Sequence, residues 1–145
     1  MSEHTTPITD AHPPITDELS EEWFAATREG RLLIQRCGRC GENQFYPRRI
    51  CRHCGSGDVD WLEASGSGRL HTFSVIHRTP NAEFAPLAPY VFAIVELDEG
   101  PRMATNVVDV PHEELHCDMP VQVVFPTAGE GKHVFPCFTA AAKTT

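Results

Sequence analysis

Residues 37–54 read Cys37-Gly38-Arg39-Cys40-Gly41-Glu42-Asn43-Gln44-Phe45-Tyr46-Pro47-Arg48-Arg49-Ile50-Cys51-Arg52-His53-Cys54, two Cys-x-x-Cys pairs with ten residues between them. Two such knuckles bring four thiolates together tetrahedrally, the ligand set that soft and borderline metals prefer. A glycine follows each pair, Gly41 and Gly55, and permits the tight turn that aims backbone amides at sulfur. Cys37, Cys40, Cys51 and Cys54 are therefore the expected ligands of one structural Zn2+. With four protein ligands, no coordination position is left for a substrate or an activated water. Iron in the same four thiolates would make an electron carrier, an alternative that the spacing alone leaves open. His53 lies inside the second knuckle and is expected to be exposed, because Cys54 completes the symmetric pattern. A short hairpin through Phe45, Tyr46 and Pro47 is expected to span the knuckles.

Outward from the knuckles, the chain of 145 residues has room for one ordinary domain or two small modules that share surface. Met1 to Thr16 is rich in Thr, Pro and His and begins a Pro-Ile-Thr-Asp repeat, Pro7 to Asp10 and Pro14 to Asp17. It reads as a flexible arm over 1–16. A short helix is predicted from about Asp17 to Glu29, with Thr16 or Asp17 as N-cap, acidic residues in the early turns and Gly30 as the stop. Leu19, Trp23 and Thr27 share one stripe of it, with Phe24 beside them. That stripe packs either on its own domain, the plainer reading, or on another chain. Helix and knuckles together are assigned to 17–62.

From Gly66 onward the signals are for strands: Arg69 to His77, Tyr90 to Leu97 with both faces apolar, Arg102 to Val108, Val121 to Phe125 and Val134 to Phe138. Five short strands suit a small closed barrel over 63–140, with a flexible tail at 141–145. The connection from Arg78 to Ala88 carries Phe84 and Leu87, apolar residues that suit either a contact surface or a loop folded over the barrel.

Composition narrows the function. No apolar run approaches the roughly 20 residues of a membrane span, and no secretory pattern opens the chain, so a cytoplasmic address is expected. A net charge of −8 argues against general nucleic-acid binding. Seven of the twelve Lys and Arg residues nevertheless lie between Arg28 and Arg52, against only Glu29 and Glu42. They can balance the zinc thiolates, meet an acidic partner, or face the phosphates of a ligand such as coenzyme A. No Ser-His-Asp arrangement, phosphate loop or dinucleotide fingerprint is found. Cys117 and Cys137 have no Cys-x-x-Cys neighbour and no recognisable motif that would activate them, and are expected to be small buried residues.

The order of these parts resembles a family of bacterial and archaeal acyl-CoA-associated proteins that join a rubredoxin-like zinc ribbon to an OB-fold. The features that carry the resemblance are Trp23-Phe24, Gly30 to Arg36, the knuckles around Phe45-Tyr46-Pro47-Arg48, Gly66-Ser67-Gly68, Pro89-Tyr90, Ala93 to Gly100 and Pro136 to Phe138. Asp118 departs from it, standing where such proteins commonly carry glycine. The resemblance implies a mainly β chain with a short N-terminal helix, a zinc ribbon and a five-stranded OB-fold barrel. It also implies a non-catalytic subunit assembled with a thiolase-fold enzyme, thiolase or aldolase, on acyl-CoA thioesters of lipid, steroid side-chain or aromatic degradation. Contact is then expected through Trp23, Phe24, Arg48, Arg49, Phe84 and Leu87, with a CoA thioester as a candidate ligand at the shared surface. The competing readings are a nucleic-acid module, disfavoured because the strands are acidic and apolar rather than basic and aromatic, and a stand-alone acyl-CoA-binding or redox protein.

Overall fold

The structure is a computed structural model that describes residues 16–80, 82, 84–126 and 134–141. The arm expected over 1–16, with the Pro7–Asp10 copy of the repeat and the start of the second, lies outside these residues except for Thr16, as does the tail expected over 141–145 except for Ala141.

Helix α1 spans Glu18–Arg28. Asp17 accepts a hydrogen bond from the Ser20 amide at 2.8 Å, and the Asp17 amide donates back to the Ser20 hydroxyl at 3.1 Å, so two donors left over by the first turn are satisfied reciprocally. At the other end the Gly30 amide bonds to the Thr27 carbonyl and the Arg31 amide to the Ala26 carbonyl, a Schellman closure that needs the positive φ of Gly30. The face so fixed buries Trp23, Phe24, Ala26 and Thr27 in the chain's own core, while Leu19 is half-buried.

The knuckle region contains strands that the sequence reading missed. β1 (Leu33–Cys37) is flanked by β2 (Asn43–Gln44) and β3 (Val59–Glu63) in an antiparallel sheet of order β2-β1-β3. The first knuckle forms the turn of the β1–β2 hairpin, with the Cys37 amide bonded to the Glu42 carbonyl. The hairpin expected through Phe45, Tyr46 and Pro47 is thus displaced to the knuckle itself, and Phe45 leaves the sheet to pack under α1, 5.8 Å from Trp23.

After Ala64 the chain enters a closed barrel of order β4-β5-β6-β8-β7, an OB-fold: β4 Ser67–Ile76, β5 Tyr90–Leu97, β6 Arg102–Val107, β7 Pro120–Val124 and β8 Cys137–Ala140. β4 pairs with β5 along its length and with β7 at Ser67–Arg69, and a register shift between Leu70 and Thr72 lets it bend between these partners. Leu70, Ala93, Val95, Val121 and Phe138 fill the interior. β5 alternates strictly, burying Val91, Ala93, Val95 and Leu97 and leaving Phe92 exposed.

The last strand begins at Cys137, three residues after the expected Val134. Pro136 has no amide to donate, so the ladder with β7 starts beyond it, and Phe135 instead packs edge-on against Phe24 at 5.4 Å. Asp118 adopts φ 69°, the left-handed conformation that glycine would supply, so the turn before β7 is kept despite the substitution. Among the described residues no helix is long and apolar enough to cross a membrane.

Ribbon and barrel are stapled on two sides. Phe45, Trp23, Phe24 and Phe135 form a continuous aromatic chain through α1. On the far side the Asn43 amide side chain donates to the Glu99 carbonyl at 2.9 Å, and Glu99 accepts from the Ser65 amide at 2.8 Å.

Candidate metal centre

Each knuckle is built the same way. The Gly41 amide bonds to the Cys37 carbonyl and the Gly55 amide to the Cys51 carbonyl, both at 2.9 Å, with φ of 78° and 79° at the two glycines. That turn aims amides at sulfur: Arg39 and Cys40 donate to Cys37 Sγ at 3.4 Å, and His53 donates to Cys51 Sγ at 3.3 Å.

The four Sγ atoms all lie within 4.8 Å of one another, with Cys37–Cys54 and Cys40–Cys51 each at 3.6 Å. Zinc–sulfur bonds of about 2.3 Å place tetrahedral sulfurs about 3.8 Å apart, so the cluster has the size the ion requires. Cys37 and Cys51 sit inside, whereas Cys40 and Cys54 face outward. The amide of Cys40, then that of Arg39, overcomes burial and lowers the Cys37 thiol to about 6. Cys51 is also lowered, its burial outweighed by the amides of Cys54 and His53. At Cys40 the Glu42 amide favours the thiolate, but burial and the sulfurs of Cys51, Cys37 and Cys54 prevail and push it up to about 12. Sulfurs this close cannot all ionise without a cation among them. One Zn2+ held by Cys37, Cys40, Cys51 and Cys54 meets that demand, and its four protein ligands make the site structural.

Two glutamines that the sequence reading passed over hold the second knuckle against the first. Gln35 and Gln44 face each other in the β1–β2 register and are both 3% exposed. Gln44 donates to Gln35 Oε1 at 2.8 Å and accepts from the Arg52 amide at 2.9 Å. Gln35 donates to the Arg48 carbonyl at 2.9 Å and accepts from the Arg48 amide at 2.8 Å. The backbone from 48 to 52 is thereby clamped to the sheet. The available signal was a pair of amides at facing positions in a hairpin, visible only once the register is known.

Other expected site residues fall elsewhere. Trp23 and Phe24 are 8% and 5% exposed, so they are core residues rather than projecting anchors, and Trp23 donates its indole N–H to the Leu33 carbonyl. Arg48, Arg49 and His53 are exposed, and Phe84 and Leu87 are half-buried beside a 3-10 turn at Ala85–Leu87. Cys137 is buried, which raises its thiol to about 12. Cys117, expected inside, is exposed in the turn before β7.

Comparison with known proteins places these parts in a family. Residues 24–60 match the model of the ChsH2 rubredoxin-like zinc ribbon domain, and residues 61–126 that of the ChsH2 C-terminal OB-fold domain. A DUF35 domain-containing scaffold protein of Methanothermobacter thermautotrophicus is 40% identical over 110 residues, covering 74% of this chain and 81% of that protein. A probable enoyl-CoA hydratase alpha subunit of Thermomonospora curvata is 42% identical over 99 residues, 68% of this chain, but the match spans only 30% of that longer protein. Among solved structures, a chain of the Ltp2-ChsH2(DUF35) aldolase superposes with a TM-score of 0.78 at 36% identity, covering 89% of this chain and 99% of that one. A DUF35 protein of unknown function from Sulfolobus solfataricus, at 11% identity and a TM-score of 0.63, shares the fold. The chain belongs to the ChsH2/DUF35 family, in which a rubredoxin-like zinc ribbon is joined to an OB-fold.

Proposed function

We propose that the chain is a non-catalytic, cytoplasmic accessory subunit that assembles with a thiolase-fold enzyme, thiolase or aldolase, acting on acyl-CoA thioesters. The observation that carries this reading is the 36% identity and near-complete coverage shared with a chain of a two-component aldolase. The scaffold names of the archaeal relatives point the same way. So does the chemistry. The zinc is saturated by protein ligands, and the Cys137 thiol, raised to about 12, stays protonated at neutral pH. Exposed Arg48 and Arg49 beside exposed Ile50 combine charge with apolar area, a composition suited to a partner surface.

The test is co-expression with the genes that neighbour this one, followed by gel filtration and a thioester-cleavage assay. A heteromer is expected, with turnover only in fractions that contain the enzyme. Cleavage by the purified chain, lost in Cys117→Ala, would overturn the reading, as would failure to co-elute with any thiolase-fold protein of the host.

A further inference from the structure

β4 is longer than the strand that flanks its outer side. It runs over Ser67–Ile76, but β7 pairs with it only at 67–69. The turn before β7 carries the cover one residue further, where Leu70 donates to the Met119 carbonyl and accepts from the Asp118 amide. Over 72–76 the strand is paired with β5 alone among the described residues.

The direction of the free backbone groups follows from alternation. The Leu97 amide bonds to the Pro101 carbonyl, toward β6, and the Asp98 amide to the Ser67 carbonyl, toward β4. Counted back along β5, Phe92 and Ile94 turn their backbone groups toward β4, where they meet Ser74 and Thr72. The amides and carbonyls of Phe73 and Val75 therefore point away from β5, to an edge that no described residue fills. The side chains there are incompletely covered as well. Phe73 and Val75 lie opposite buried Ala93 and Val91 and pack against the core, yet both stay half-buried. Edges of this kind are ordinarily blunted by lysine, proline or a bulge. Thr72-Phe73-Ser74-Val75-Ile76 has no charge, proline or glycine, and the register shift between Leu70 and Thr72 lies before it.

Whatever completes this edge must bring amides and carbonyls at alternate residues, with apolar side chains on the inner face. A second copy of the same edge does so. Antiparallel pairing about a two-fold axis at Ser74 sets Phe73 opposite Val75 of the other copy and Val75 opposite its Phe73. Each pair exchanges two hydrogen bonds and joins an aromatic to a β-branched side chain. Charge agrees at the ends of the strand. Exposed Arg78 arrives beside Leu70 of the other copy, where exposed Asp118 stands, and the two-fold axis makes that contact twice.

We infer that the free edge of β4, residues 72–76, is where two copies of this chain pair, joining their barrels through one continuous sheet. The inference adds a link between subunits to the accessory role and does not depend on it. Five residues a side make a small interface, so the dimer forms at high rather than low concentration.

The test is sedimentation equilibrium of the zinc-loaded full chain over a series of concentrations, where a monomer–dimer equilibrium is expected. Ser74→Lys sets two like charges opposite each other at the axis and should weaken the dimer about fivefold. Zinc content and the circular dichroism spectrum should stay unchanged, because Ser74 is exposed. Register is read by cross-linking in a glutathione redox buffer, with Cys117→Ser as the background. Ser74→Cys should form a disulfide between copies, whereas Thr72→Cys should not, since its counterpart across the axis lies about 13 Å away. A monomer at every concentration would overturn the inference. So would a dimer that Ser74→Lys leaves unchanged, or one in which Thr72→Cys cross-links as readily as Ser74→Cys. Amide exchange at Phe73 and Val75 that slows only when the partner enzyme is added would assign the edge to the enzyme and overturn it as well.

Discussion

Gln35 and Gln44 show how much of the zinc centre lies outside its ligands. Replacing Gln35 by Ala leaves the Arg48 amide and the Gln44 side chain short of partners inside the ribbon, where an unsatisfied group costs about 1–3 kcal/mol. Gln35→Ala should therefore lower stability by about 2 kcal/mol and weaken zinc binding about 10- to 100-fold, read by competition against a calibrated chelator. The four cysteines were legible in the sequence because metal chemistry dictates both residue type and spacing. The glutamines were not, because their role arises only when Gln35 and Gln44 come into register. Asp118 is legible in the other direction. At φ 69° it carries a cost of about 1 kcal/mol that glycine would relieve, offset in part by the wider freedom of glycine in the unfolded chain. Asp118→Gly should change stability by between zero and about 1 kcal/mol in the favourable direction, whereas β-branched Asp118→Val should destabilise by at least about 1 kcal/mol. Urea unfolding of the two variants in parallel checks the sign of each.

Helix α1 works as a wedge. It buries Trp23 and Phe24 between the ribbon, through Phe45 and the Leu33 carbonyl, and the barrel, through Phe135. Trp23→Ala removes a large aromatic side chain and its hydrogen bond together, so it should cost about 3–5 kcal/mol in denaturant unfolding and cannot serve as an interface probe. Both tryptophans of the chain report on the ribbon, since Trp61 lies on β3 opposite Gln35. Removal of zinc by a strong chelator, or Cys40→Ser, should accordingly abolish the native tryptophan fluorescence, because metal binding of about 10–16 kcal/mol in such small modules is folding free energy. Native fluorescence from metal-free protein would show that the sheet β2-β1-β3 stands without its ion. The barrel strands were legible because β-branched and apolar runs are punctuated by turn residues. The ribbon strands were not: β1 buries four of its five residues without alternation, and β2 is two residues long. Pro136 alone moved the start of β8, by interrupting an apolar run that otherwise reads as continuous strand.

At the scale of the whole molecule the charge is unevenly distributed, with seven of twelve basic residues between Arg28 and Arg52 on a chain of net charge −8. Arg31 is tied to Glu29 and Glu63 at 3.0 and 3.4 Å, but Arg48 and Arg49 project from a backbone that Gln35 pins from below. Ile50 follows them at 55% exposure. A pinned backbone presents these side chains with little ordering entropy to lose, which is what an interface anchor requires. If this face meets the partner enzyme, charge there should govern the rate of encounter and apolar contact the rate of escape. Arg48→Glu with Arg49→Glu should slow association at least tenfold at low salt and reduce its dependence on ionic strength. Ile50→Ala should mainly speed dissociation. Both variants should retain one zinc per chain, since the hydrogen bonds of Gln35 to residue 48 are made to backbone atoms that the substitutions keep. Surface plasmon resonance at two salt concentrations separates the two effects. Wild-type association rates in the double charge reversal would place the enzyme on another face of the chain.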